Sequence, residues 1–287
     1  MLLPASPLSE KEDYDKFQMV RKYRTIPRDF GKYDGTNVVE VEEVCVATKD
    51  LSFDDYLFIR KFHYIIYCYY NGETFKEIIH YLKSLGIEVY DFCYALLSYT
   101  DITPEIVRKT FENFLSDTIQ ELWDSKEDIH HYYKKDANLN KLLQQVQGYN
   151  LLQRYHGLFF SSHFNMFLEY AMKVATRLLN EKDIDYDKKV LESIFSYILN
   201  SRNKIFDIVD ADITAELDYD VHTWRQEGFK KPILEYNNKT RLKFLQTEKQ
   251  KKIIHEYTKI CGDTEDSKGK ILTRVNPKVL FREILSL

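Results

Sequence analysis

A mainly α (α+β) fold is predicted, with a helical bundle-like region, a short β segment at the N-terminal end and a small β-α-β-α unit at the C-terminal end. Three observations predict it. The 287 residues include only 9 Gly and 6 Pro beside 22 Tyr and 18 Phe, too few turn formers for an all-β chain. Apolar residues recur at helical spacing through the middle of the chain, and short alternating segments lie near each end. The hydrophobic fraction of 44% supplies ample material for a core.

Taken in order, Asn37 to Thr48 alternates valines with acids, predicting a strand with one wet face, entered through a turn at Tyr33, Asp34 and Gly35. On that reading Glu40, Glu42 and Glu43 stand on an exposed strand face, and two of them share a side because the side-chain period is two. Such acids work as an acid-base pair only if burial splits their pKa values. Ser52 with Asp55 caps a helix carrying Leu57, Phe58 and Phe62, which Asn71 and Gly72 stop. A second helix runs from Thr74 to Leu85 and ends at Gly86. Thr103 and Pro104 open a third, whose stripe of Val107, Phe111, Phe114, Ile119 and Leu122 carries it to about Tyr133.

Gly148 and Gly157 are expected breaks, and Asp183 to Asp185 joins helices near 164–179 and 188–199. Phe159, Phe160, Phe164, Phe167 and Tyr170 at helical spacing predict core packing rather than a cofactor pocket. Further on, Arg241 to Gln246 is a short strand, and Thr247 with Gln250 forms a capping box for a helix ending at Gly262. A polar loop from Asp263 to Gly269, a strand from Lys270 to Val275 and a short helix opened by Asn276 and Pro277 complete the chain. This divides it at 1–50, 51–231 and 232–287.

Charge and motifs exclude more than they assign. The net charge is -4, yet residues 223–287 carry 15 Lys and Arg against 8 Asp and Glu. Acids such as Glu248, Glu256 and Glu265 interrupt that basic run, which argues against nucleic-acid binding. No span reaches the roughly 20 apolar residues a membrane helix needs. Cys45, Cys68, Cys93 and Cys261 form no Cys-x-x-Cys pair and read as reduced, buried thiols of a cytoplasmic protein. The pairs His130 with His131 and His156 with His163 lack the further ligands a zinc site adds. Phosphate-binding loops and common hydrolase motifs are absent. Arg60 and His63 lie three apart on one helix face, where they could meet Asp55 or a strand acid.

The segment from Arg21 to His63 carries Tyr23, Arg24, Pro27, Gly31, Tyr33, Gly35, Glu40, Glu42, Glu43, Arg60 and His63 in an order that resembles the region following the barrel of cobalamin-binding radical SAM proteins. Leu2 to Ser6 is similar to the end of that family's last barrel strand, with Ala5 where Gly is usual. The resemblance implies that residues 1–50 are a remnant of a barrel end with an extended β segment. It also implies a parent with a four-iron four-sulfur cluster, S-adenosylmethionine and cobalamin, and a radical SAM barrel as partner in cis or trans. The Cys-x3-Cys-x2-Cys loop that would hold the cluster is absent here, so no catalytic residue, metal or cofactor is expected in this chain. Arg24, with its bidentate donor, is then the best candidate for substrate or cofactor contact, and Arg60 and His63 are better suited to an interdomain ion pair. The alternative expectation is a free-standing helical module that binds a protein partner.

Overall fold

Asp34 and Gly35, with φ of 45° and 80°, form the two-residue turn that matches the twist of a β-hairpin. A computed structural model, which describes residues 6–144 and 150–287, shows the chain to be mainly α, with two small antiparallel sheets. Contacts divide it into two units, 1–61 with 111–154 and 62–110 with 155–287. Gly148 and the Leu2 to Ala5 stretch lie outside the described residues.

In the first unit, a short helix α1 (Lys11–Phe17) precedes strands β1 (Val20–Tyr33) and β2 (Thr36–Ala47). Arg24 faces Glu42 and Tyr33 faces Thr36 in the ladder. The register shifts between Thr25 and Phe30, where Pro27 has no N-H to give and Arg28 takes a φ of 76°. After the hairpin, Ser52 and Asp55 cap α2 (Phe53–Ile66) reciprocally, as their spacing predicts.

The helix expected from Thr103 to about Tyr133 is broken in two: α5 (Glu105–Gln120) and α6 (Lys126–Tyr133). Between them Trp123 turns its backbone to β1, exchanging hydrogen bonds of 2.9 and 2.7 Å with Tyr23, and Ser125 caps α6. An apolar stripe cannot reveal such a break, because Trp123 fits the helical pattern while its N-H and C=O pair elsewhere. Ile119 is correspondingly 45% exposed. Helix α6 and helix α7 (Asp136–Gln144) pack on the hairpin through Val39, Ile129, Tyr133, Leu139 and Leu142, with Tyr23, Phe30 and Trp123 at the margin.

In the second unit α2 ends in a π-turn (Tyr67–Asn71), and helices α3 (Lys76–Ser84) and α4 (Val89–Ser98) follow. The aromatic run spans α8 (Leu151–Phe160) and α9 (Phe164–Glu181), and Phe159, Phe160, Phe164, Phe167 and Tyr170 are fully buried, so it is core. Helix α10 (Lys188–Arg202) follows, capped by Asp187, and lies against β3 (Ile213–Leu217). A short α11 (Val221–Gln226) then leads to β4 (Thr240–Leu245). The predicted capping box of Thr247 and Gln250 opens α12 (Glu248–Cys261). Strand β4 lies between β3 and β5 (Glu283–Ser286), both antiparallel to it.

Two expectations fail here for packing reasons. Residues 270–275 are not a strand, since Thr264 caps a helix α13 (Glu265–Leu272) that takes up most of the expected loop. Gly157 does not break α8 but lets it approach α13: a Cβ there would stand 2.3 Å from the Gly269 backbone nitrogen. All three of the nearest atoms belong to the backbone of Lys268 and Gly269, so the helices themselves must part. Gly157→Ala is expected to cost about 1–3 kcal/mol in urea unfolding. A change within ±0.5 kcal/mol would show that α8 and α13 do not press together.

Candidate functional site

Three of the residues singled out by sequence meet in the first unit. Arg24 on β1 donates from Nε to Glu42 Oε1 on β2 at 2.5 Å and from Nη1 to Glu121 Oε1 at 2.8 Å. The Arg60 guanidinium on α2 lies 4.0 Å from the same Glu121 oxygen and 5.5 Å from the centre of the Phe114 ring. Its Nε has no hydrogen-bond partner. Arg60 therefore meets Glu121 rather than Asp55, whose carboxylate is taken up by Ser52.

The strand acids fare differently from one another. The Glu42 side chain is only 9% exposed and Glu43, paired with Arg21 at 2.9 Å, 17%, so the expected wet face is covered at both. Glu40 alone of the three is exposed, beside a broad cavity of about 590 Å³ shared with Glu127, His130, His131 and Lys134. His63 belongs to the second unit, where its ring meets Tyr67 edge-on.

Burial and charge set the electrostatics. Burial works against the Arg24 cation, and Glu121 and Glu42 more than restore it, so its pKa is raised. At Glu121 burial outweighs the pull of Arg24 and lifts the carboxyl above its ordinary range. Burial likewise raises the Tyr56 phenol, against the nearby Arg60 and Arg24. Glu121 also borders a cavity of about 280 Å³ lined by Trp123, Tyr132, Gln120 and Arg154. Such a carboxyl can hold a proton that a surface glutamate would lose, but Arg24 spends its donors inside the protein. Arg24→Ala leaves Glu42 and Glu121 facing each other and is expected to cost about 1–3 kcal/mol, less than for a fully buried pair because the side chain is 22% exposed. An unchanged urea midpoint would count against this.

Sequence reasoning missed Glu121, which closes the predicted apolar stripe. No signal marked it, because the helix expected on to Tyr133 hides that α5 ends at Gln120, just before this acid. It also missed a buried ionic cluster in the second unit. Glu77 on α3 is fully buried, receives Arg202 at 2.5 and 2.8 Å and Arg225 at 2.5 Å, and stays below the usual carboxylate range because Arg202 and then Arg225 outweigh its burial. Among the described residues no cluster of His, Cys, Asp or Glu is arranged to hold a metal ion, and no helix is long and apolar enough to cross a membrane. All four cysteines are free, with Cys68 and Cys93 buried and Cys45 and Cys261 half-buried. No model of a known protein family matches the chain, and no curated protein matches it.

Proposed function

We propose that this chain is an accessory region of a larger enzyme resembling cobalamin-dependent radical SAM proteins, bordering the approach to its barrel and performing no catalysis itself. The observation that carries this reading is the meeting of Arg24, Glu42 and Arg60 at Glu121. These three come from the segment that carries the resemblance, and their charges are used to fasten strand, strand and helix together. A segment that spends its guanidinium and carboxylate groups internally contributes shape to a neighbouring site rather than chemistry. In this reading the cluster, S-adenosylmethionine and cobalamin belong to the parent, and the barrel is the partner. A cytoplasmic setting accords with the four free thiols.

The test is to read about a kilobase of DNA upstream of the Met1 codon, a length set by domains of ordinary size. A frame encoding Cys-x3-Cys-x2-Cys is expected, and the extended protein, reconstituted anaerobically with iron and sulfide, should cleave S-adenosylmethionine. Unrelated upstream sequence would overturn the proposal and favour the free-standing helical module.

A further inference from the structure

In the second unit, independently of the reading above, a cavity of about 280 Å³ opens where the π-turn Tyr67–Asn71 meets the Pro277–Leu280 turn. Tyr67, Gly72, His156, Leu272, Asn276 and Lys278 line it. His156 is 5% exposed, and its Nε2 has no hydrogen-bond partner. The ring is held between Tyr67 and Phe160, with centroids at 4.8 and 4.9 Å, so it cannot swing out to find one. A buried imidazole without a partner loses a hydrogen bond that water would have given, and a polar cavity at its side is where that bond can be recovered.

The backbone around the opening is built at a cost. The chain leaves the π-turn through Glu73, a non-glycine residue with φ of 54°, and both features concentrate at binding sites. Charge points to the kind of ligand. Glu73 accepts from Lys278 at 3.1 Å and lies 3.6 Å from Lys76 and 3.7 Å from Arg225, while Glu77 holds Arg225 and Arg202. Four cations thus share two carboxylates, and one of the four, Lys278, lines the cavity.

We propose that this cavity binds a small organic carboxylate, with the anion at Lys278, a compact apolar body against Tyr67 and Leu272, and a hydroxyl or similar group bonded to His156 Nε2. The volume lies just below the roughly 300–1,000 Å³ of ordinary ligand pockets, which suits one ring with small substituents.

The probe is 4-hydroxybenzoate, titrated into the whole chain by calorimetry and saturation-transfer NMR, with 4-hydroxybenzamide as the neutral control. Saturable binding is expected for the acid and at least about tenfold weaker binding for the amide. Lys278→Gln and His156→Phe should each weaken the acid about tenfold, and His156→Asn serves if the Phe variant does not melt cooperatively. Absence of saturable binding overturns the proposal. So does affinity unchanged in both variants, or a His156→Phe variant that keeps full affinity while inorganic phosphate competes, which would place the anion on the surface cations alone.

Discussion

Glu77→Gln is expected to lower the unfolding free energy by about 3–5 kcal/mol, the cost of leaving buried charge without its counter-ion. The carboxylate has no exposed surface and holds two guanidinium groups, one of which, Arg202, is itself only 2% exposed. Arg202 also donates to the Thr74 carbonyl, so its position is fixed by three acceptors at once. The amide keeps the shape and one acceptor oxygen but loses the charge, and the desolvation of two cations is then uncompensated. Urea unfolding followed by circular dichroism reads the effect. Arg202→Met in the Glu77→Gln background should recover part of the loss, because one of the stranded charges has gone. A wild-type midpoint in Glu77→Gln would mean that Arg202 and Arg225 reach water when the carboxylate is removed.

What was legible in the sequence was what is local. Ser52 with Asp55 and Thr247 with Gln250 mark helix starts through bonds that span three residues, and the structure makes those bonds. The Asp34 and Gly35 turn and the buried aromatic run are local in the same sense. What failed depends on partners far along the chain. Trp123 fits a helical stripe until Tyr23, a hundred positions earlier, takes its backbone, and Gly157 looks like a breaker until Gly269 shows why it has no side chain. The two contact units likewise join stretches far apart in the chain, 1–61 with 111–154.

The candidate site depends on more than local spacing. The turn register alone would set Arg24 opposite Cys45, and only the irregularity between Thr25 and Phe30, which shifts the ladder by three residues, brings it opposite Glu42. Glu121 and Arg60 come from helices whose approach to the hairpin no periodicity encodes. Glu77 was hidden because it sits among Ile78, Ile79 and Leu82 on a short helix, where the pattern marks a core face and gives no sign that the core contains a charge.

Acidification from pH 7 to 5 is expected to cost the protein about 2 kcal/mol through His156 alone. Burial pushes this imidazole from its ordinary 6.5 down to about 3, so the folded protein keeps it neutral where the unfolded chain protonates it. Below pH 6.5 the unfolded state therefore binds more protons, and stability falls as the pH drops. The contribution is complete above 6.5 and is lost progressively down to about 3. His80, His163 and His222 are also lowered by burial, so the wild-type slope contains more than one residue. Comparison with His156→Phe isolates the term: the two proteins, unfolded in urea at pH 7 and pH 5, should differ in pH sensitivity by about 2 kcal/mol. Glu121, whose carboxyl burial lifts, is present in both proteins and cancels in the comparison. Equal slopes would mean that the folded chain protonates His156 near 6.5, and so that water reaches the ring through the cavity at its side.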